Sequence, residues 1–445
     1  MRLKTFKTGG IHPPEYKISG HAVIKELAIP ERAVFPLSQS LGATPIPIVQ
    51  KGDTVKVGQM IAKGASFVSS NIHSSVSGKV FAIEDYIDVS GYKRPSIIID
   101  VEGDEWDNAI DRSPELLCTV YADKTEILEI IKTHGIVGMG GAAFPTHVKL
   151  TPPEGKKCEA LIINGVECEP YLTADHRLML ERGAELLVGV KILMRALEVK
   201  KAFIGIENNK PDVIAHITEL SKNYESIEVV PLKVKYPQGA EKQLIQAITK
   251  REVPSGKLPI EVGAVVVNAG TTIAVYEAVQ KNKPLIQRVV TITGKTLSKP
   301  SNFYVRIGTP VSMLIEAAGG MPTDCGKIVS GGPMMGKAVT SLDVPVTKGM
   351  SDILLMSRKE SKRQPVQNCI RCGRCCTACC MGLEPYLLSN LSAINAYDLL
   401  EKESVMDCIE CGSCQFTCPS GRPLLDMIRL GKGQVGKIIR NRSVK

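Results

Sequence analysis

The sequence predicts a multidomain α/β + β chain with a helical C-terminal part, and three observations predict it. Over roughly the first 110 residues, short alternating stretches are broken by Gly, Pro, Asn and Ser about every eight to twelve residues, the punctuation of small barrels and sandwiches. From about residue 120 to about 285, continuous apolar runs alternate with amphipathic ones, which specifies a mostly parallel sheet covered on both faces. Between Cys369 and Cys418 one cysteine spacing occurs twice. The division expected is an all-β domain (1–115), a parallel α/β domain (116–285), a small β-grasp or similar domain (286–350), a linker (351–367) and a cysteine-bearing helical domain with a basic tail (368–445).

In the first domain, strands are expected at 54–57, 79–83 and 96–101. Segments 46–62 and 72–80 resemble the two halves of a biotinyl/lipoyl-type barrel-sandwich hybrid. Carrier domains of that type place a lysine at the hairpin tip, whereas this chain has Asn71-Ile72-His73-Ser74 there. The domain therefore reads as an unmodified structural relative, with His73 at the surface or in packing and not a ligand.

In the second domain, strands are expected at 160–163, 202–206, 227–234 and 262–267. Helices are expected at 124–132, 178–197, 211–222, 241–250 and 272–279. Ligands of such sheets bind at the carboxyl ends of the strands, and the unusual residues cluster there. The loop G-I-V-G-M-G-G-A-A-F-P-T-H-V-K (135–149) lacks both the Rossmann spacing and the Walker lysine. Gly138, Gly140 and Gly141 still let backbone N–H groups approach a phosphate or a flat ring closely. N-G-V-E-C-E-P-Y (164–171) puts an amide and two carboxylates, Asn164, Glu167 and Glu169, at a strand exit. Y-P-Q-G-A-E-K (236–242) opens a helix whose N-terminal amides favour anionic groups, and V-V-N-A-G-T-T (266–272) is again strand into helix.

Short strands and glycine turns return at 289–294 and 328–333, and 351–367 reads as a connector. The first cysteine run, C-I-R-C-G-R-C-C-T-A-C, places Cys369, Cys372, Cys375 and Cys379. The second, C-I-E-C-G-S-C-Q-F-T-C-P, places Cys408, Cys411, Cys414 and Cys418 ahead of Pro419. C-x2-C-x2-C-x3-C is the ferredoxin spacing for two 4Fe–4S clusters, in which the fourth cysteine of each run ligates the other cluster. Cluster one is accordingly assigned to Cys369, Cys372, Cys375 and Cys418, and cluster two to Cys408, Cys411, Cys414 and Cys379. Zinc knuckles separate their C-x2-C pairs by a loop and often use histidine, but here the third cysteine follows at once and no histidine lies beyond His216. A disulfide scaffold belongs to small secreted chains, not to one of 445 residues. Cys376 and Cys380 are surplus; Cys380 either competes with Cys379 as a ligand or is a small buried hydrophobe. Residues 385–400 form a helical spacer between the runs, and a helix at 423–429 follows them.

Composition narrows the function classes. Aromatics are only 4% with a single Trp106, which argues against a stacking platform for single-stranded nucleic acid. The net charge of +9 is scattered, with basic stretches at 358–363 and 429–445 that read as solvated faces or as steering for an acidic partner or anionic lipid. No apolar run approaches the ~18–20 residues of a spanning helix, and the basic N-terminus lacks a signal peptide's apolar core. The expectation is a chain with no transmembrane segment of its own, held at any membrane by other subunits.

The segments 138–149, 164–170, 239–241 and 266–272 resemble the FMN- and NADH-binding subunit of respiratory complex I. G-G-I-H-P-P-E-Y-K (9–17), the barrel-sandwich segment, K-I-V-S-G-G-P-M-M-G (327–336) and the doubled cysteine runs resemble the C subunits of Rnf-type ferredoxin:NAD+ oxidoreductases. This resemblance covers essentially the whole chain. It implies a Rossmann-like FMN/NADH domain, a soluble-ligand-binding β-grasp domain and an α-helical ferredoxin domain, with FMN, NAD(H) and two 4Fe–4S clusters as cofactors. It further implies a peripheral position on the cytoplasmic face of the membrane, among Rnf-type subunits that include a ferredoxin-like iron–sulfur protein and drive Na+ or H+ transport. By the same resemblance, Gly138, Gly140 and Gly141 cradle FMN and nicotinamide, Phe144 stacks on adenine, and Lys149 meets a phosphate or ribose. Asn164 and Asn268 bond FMN, Thr271 or Thr272 lies near its phosphate, Glu169 and Glu241 lie close to the nicotinamide or its ribose, and Glu167 and Gly239 are further cofactor-binding residues. The chain departs from the complex I pattern at Met139, where an arginine is common, and at Ala240, where the first glutamate of a G-E-E run stands. The mechanism implied is hydride chemistry at FMN coupled to single-electron steps through the clusters. The alternatives are a diaphorase subunit of another flavin/iron–sulfur enzyme and a cluster relay without nucleotide activity.

Overall fold

The computed structural model describes residues 3–443. Its centre is a four-stranded, wholly parallel sheet in the order Ile227–Leu232, Ala202–Glu207, Ala160–Asn164, Ala264–Asn268. These runs are apolar on both faces because helices cover both, as the continuous apolar pattern requires. The chain moves outward from Ala160–Asn164 across two strands and then returns to its other side, so the strand order reverses between Ala160–Asn164 and Ala264–Asn268. Asn164 and Asn268 are register partners at the carboxyl end of that switch. Gly189 of the helix Gly183–Leu197 packs so closely on the helix Ala269–Lys281 that a Cβ there would stand 2.3 Å from the Thr272 carbonyl oxygen.

The single helix expected at 178–197 is two, Ala174–Glu181 and Gly183–Leu197. Arg182 breaks it at φ −129°, ψ 31°, and its guanidinium turns inward to Glu277 at 2.9 Å. Lys283 approaches the same carboxylate at 3.0 Å, and the two cations hold Glu277 down to about 2 against the cost of its burial.

The N-terminal barrel consists of two antiparallel sheets. One orders Arg32–Pro36, Lys93–Val101, Gly78–Ile87 and Thr54–Val55; the other orders Ile46–Pro47, Met60–Lys63 and Ile72–His73. Its hairpin tip is docked: Lys348 Nζ donates to Asn71 O at 2.6 Å and to Gly135 O at 2.7 Å, joining the tip to the base of the glycine loop. His73 is a packing residue, buried and stacked near His134 with ring centroids 6.4 Å apart.

The third sheet has six strands in the order Ile24–Glu26, Ser301–Arg306, Gln287–Thr293, Asp352–Ser357, Cys325–Ser330, Lys337–Ala338, with the helix Val311–Ala317 against it. Two expectations are corrected here. Asp352–Ser357 is an interior strand and not a linker, because Ile353, Leu354 and Leu355 are buried between its neighbours. The segment before the barrel does not belong to it: Lys4 bridges to Leu232, Ile11 to Tyr236, and Ile24–Glu26 pairs with Ser301–Arg306.

In the C-terminal domain the expected spacer is split into Pro385–Ala393 and Tyr397–Lys402, the break falling at Asn395 with φ 55°. The expected short helix and basic tail form one helix, Leu424–Ser443. Its glycines weaken it intrinsically, and burial of Leu424, Ile428 and Val435 against Leu388, Leu391 and Leu400 supplies the stabilisation that propensity does not.

Candidate functional site

At the switch point the glycine loop closes on itself. Gly138 N donates to Phe144 O at 2.9 Å, and Val137 bridges Pro145, which leaves Gly140 and Gly141 exposed at the tip. A Cβ at Gly140 would meet Asn268 Nδ2 at 2.7 Å, whereas Gly141 faces open space with nothing within 4 Å. The loop is pinned from behind, with Met139 N donating to Thr271 Oγ1 at 2.8 Å and Arg288 reaching Met139 O at 3.4 Å. Asn268 caps the helix Ala269–Lys281 by accepting from Thr271 N at 3.1 Å and donates to Asp175 at 2.6 Å. Asn164 donates to Gly239 O at 2.8 Å. Lys149 Nζ lies 2.5 Å from Glu241 and 2.8 Å from Val266 O, with about a third of each charged side chain exposed (33% and 37%). A glycine-lined opening beside two strand-end asparagines and a partly exposed lysine fits a flat ring carrying a phosphate.

The structure thus brings together Gly138, Gly140, Gly141, Asn164, Gly239, Asn268, Lys149 and Glu241, with Phe144 half-buried in the loop. Other expected site residues are engaged within the protein. Thr271 and Thr272 are buried, the first accepting from Met139 N and the second donating to Asn268 O. Glu167 caps the helix Ala174–Glu181, its carboxylate accepting from Asp175 N at 2.8 Å and His176 N at 3.2 Å.

Glu169 is bound by residues outside the glycine loop. Its carboxylate accepts from Met334 N at 3.2 Å and Tyr236 Oη at 3.3 Å, and burial of the carboxyl pushes it up to about 7. Gly332 makes this possible, since a Cβ there would lie 2.1 Å from Glu169 Oε2. Asp175 and Glu207 are raised to about 7 as well, and Asp352, wholly buried, well above the carboxylate range; desolvation leads in all three. Sequence reasoning missed the cation that offsets this acidity: Lys17 Nζ donates to the carbonyls of Glu167, Glu169 and Leu172, each at 2.8 Å. The signal was the Y-K end of the N-terminal motif, whose Tyr16 ring also packs, tilted by 32°, against Tyr171 with centroids 5.1 Å apart.

The two cysteine runs adopt one backbone. Arg371 and Glu410 hold φ 56° and 58°, and Gly373 and Gly412 hold φ 71° and 76°. Arg371 N donates to Cys369 Sγ and Glu410 N to Cys408 Sγ, both at 3.4 Å. A third such bond runs from Leu383 N to Cys379 Sγ at 3.4 Å. Amide donors to sulfur are what iron-bound thiolates require. Cys379, Cys408, Cys411 and Cys414, the set assigned to cluster two, line one cavity whose other walls include Leu383, Leu388, Leu425 and Ile428. Cys375 and Cys418 of the other set pack against the same core, while Cys369 and Cys372 are exposed. Among the described residues no three His, Cys, Asp or Glu side chains converge on a single metal ion. An all-thiol, apolar cavity with N–H···S bonds fits a cluster.

The α/β domain and the cysteine domain meet through Gln243, which donates to Cys380 O at 3.2 Å, and through a junction centred on Tyr236. Tyr236, 2% exposed, donates from Oη to Cys411 O at 2.8 Å and to Glu169 at 3.3 Å. Met334 O contacts the Gly412 turn, where a Cβ would come within 2.8 Å.

A parallel sheet with a glycine loop at its switch point, joined to a paired cysteine domain, defines an electron-transfer protein of the complex I flavoprotein type. Family models match three segments: the RnfC barrel sandwich hybrid domain at 4–104, the Nuo51 FMN-binding domain at 131–277 and the SLBB domain at 289–338. Similar chains include the C subunits of two ferredoxin:NAD(+) oxidoreductase complexes. To that of the proton-translocating complex of Clostridium ljungdahlii the chain is 48% identical over 405 residues, covering 90% of this chain and 87% of the relative. To that of the Na(+)-translocating complex of Acetobacterium woodii it is 44% identical over 433 residues, covering 97% of each. In fold it is similar to an NAD+-reducing NiFe hydrogenase in the H2-reduced state, with TM-score 0.50 and 18% identity, over 70% of this chain and 63% of that one. The chain belongs to the family of C subunits of ion-translocating ferredoxin:NAD+ oxidoreductase complexes.

Proposed function

We propose that this chain carries electrons between a nicotinamide nucleotide and a ferredoxin-type donor, as one subunit of a membrane-associated ferredoxin:NAD+ oxidoreductase whose partners move Na+ or H+. The observation that carries this reading is the junction at Tyr236 and Glu169, which places the Cys379–Cys408–Cys411–Cys414 cavity directly against the glycine-loop domain. When bound, FMN supplies the exchange between two-electron nicotinamide chemistry and single-electron steps. Gly138, Gly140, Gly141, Asn164 and Asn268 are the residues to hold it. Lys149 offers a cation to a phosphate or ribose beside it, oriented by Glu241. Glu169, with its carboxyl near 7, holds or releases a proton at neutral pH.

Burial orders the relay. The cluster-two cysteines lie inside against Tyr236, and the exposed Cys369 and Cys372 mark the outer end. Exposed Arg371 and Arg374, within the same turn as Cys369 and Cys372, suit an acidic iron–sulfur partner, whose approach opposite charge accelerates. Cys369, Cys372, Cys375 and Cys418 would hold one cluster and Cys408, Cys411, Cys414 and Cys379 the other, and the pair would supply one-electron carriers between that partner and the flavin site. Among the described residues no helix is long and apolar enough to cross a membrane, and the reading puts the chain on the cytoplasmic face, held there by other subunits. The domain division that supports this function is a barrel, a flavin domain, a β-grasp domain extended to Ser357, and the cysteine domain.

The test is NADH:viologen turnover by the anaerobically reconstituted chain. Turnover is expected; none, with full flavin and iron, would leave only a relay without nucleotide chemistry.

A further inference from the structure

Lys210, Lys281 and Arg306 are buried cations, and each meets a carboxylate: Glu207 at 3.9 Å, Asp111 at 2.6 Å and Asp104 at 2.9 Å. Arg288 and Lys348 are buried as deeply, and among the described residues neither forms an ion pair. The Arg288 guanidinium donates to carbonyls alone, those of Val289 at 3.3 Å, Met139 at 3.4 Å and Lys348. Lys348 Nζ donates to Asn71 O, to Gly135 O and, at 3.4 Å, to Ser70 Oγ. Burial draws Lys348 down to about 7, yet three acceptors take three N–H groups, which the ammonium has and the neutral amine lacks. Burial lowers Arg288 only to about 10, so it stays charged at neutral pH. Asp175 is the carboxylate whose charge reaches Arg288, and it is itself bonded to Asn268 and pushed up to about 7 by burial. Both cations come from the β-grasp part of the chain and end on one element. Gly135 opens the glycine loop, and Met139 precedes its exposed tip at Gly140 and Gly141. Gly349, next to Lys348, lies under that tip, where a Cβ would stand 3.4 Å from Ala143 Cβ and 3.8 Å from Gly141 O.

A charge buried without a counter-charge is costly, and its field is poorly screened. Two such cations behind one loop leave the loop's open face short of negative charge. We infer that Arg288 and Lys348 are positioning residues that make the glycine-loop site selective for a phosphate-bearing ligand: carbonyls alone hold them behind the loop, and the ligand's phosphate balances their charge. They act through the loop and do not touch the ligand. The inference rests on the flavin reading above and deepens it, since it places the phosphate preference in the β-grasp domain. From Gly135 to Pro145 the loop has no cationic residue of its own.

The experiment measures binding of FMN, and of riboflavin, which lacks only the phosphate, to the flavin-free full-length chain by titration calorimetry. The parent is expected to prefer FMN. R288Q is expected to weaken FMN about tenfold, the scale of one poorly screened charge, and riboflavin by less than about twofold, so that the preference narrows. R288K keeps the charge and is expected to hold the preference. K348Q and K348R are expected to repeat the pattern at the second position, and they read the same ratio if R288Q fails to fold. Equal losses for the two flavins would overturn the inference, because Arg288 and Lys348 would then only prop the loop. Unchanged FMN affinity in R288Q and K348Q would overturn it as well, as would a parent that binds the two flavins equally. A parent that binds neither flavin would overturn the flavin reading itself, a failure visible before any variant is made.

Discussion

Arg371 and Glu410 make the same left-handed turn in their cysteine runs, yet the neighbours of those turns differ in every other respect. Beside the first, Cys369 and Cys372 are exposed on a segment without regular structure. Beside the second, Lys432 donates to Cys408 O at 2.6 Å, Tyr236 to Cys411 O at 2.8 Å, and Cys414 is buried in the helical core. Spacing sets the chemistry of each site, and what packs around it sets the site's place in a path. A buried cluster touching the flavin domain and an exposed one rimmed by arginines are an inner and an outer station.

The sharpest way to break that comparison is to remove one ligand from each. Cys411→Ala and Cys369→Ala should each cost about four irons, but only Cys369→Ala should leave a cluster that NADH still reduces, as read by electron paramagnetic resonance. Equal loss of NADH-reducible signal in both variants would erase the distinction between inner and outer. Next in size, Tyr236→Phe deletes the hydroxyl shared by Glu169 and Cys411. It should lower stability by about 1–3 kcal/mol and slow NADH:viologen turnover with flavin content unchanged. On the nucleotide side, Lys149→Ala should raise KM for NADH about tenfold, the loss of one charged contact, while flavin is retained. Unchanged NADH kinetics would remove Lys149 from the site.

The smallest effect concerns pH. Glu169, Asp175 and Glu207 are each raised to about 7 by burial. Unfolded carboxyls titrate near 4, so between about pH 4 and pH 7 the folded chain binds more protons than the unfolded one and its stability falls as pH rises. Glu169→Gln should make that slope shallower in thermal melts taken across the window. A slope identical to the parent's would mean that Glu169 ionises normally.

Much of this was legible in the residues. The cysteine spacing, the four parallel strands and the residues at their exits follow from local pattern, because each is written within one segment. The junction is not local: Tyr236, Glu169, Met334 and Cys411 come from four parts of the chain and meet only when the sheets pack. The same holds for Lys17, which reads as an ordinary basic residue until its ammonium is seen closing three carbonyls of the loop beyond Asn164. Thr271 and Thr272 likewise make bonds that the sequence does not show. A threonine pair at a helix start matches an anion site, but the packing of the glycine loop on that helix uses the hydroxyls internally. Asp352–Ser357 was hidden by the polar stretch after it, which made a buried strand look like the start of a connector.

The most direct test of the relay is the visible spectrum of the anaerobically reconstituted chain, with flavin, iron and sulfide counts, before and after NADH. One FMN and about eight irons per chain, with prompt bleaching of flavin and clusters together, is the predicted result. Irons without flavin, or a flavin indifferent to NADH, would contradict it and move the nicotinamide chemistry to another protein of the complex.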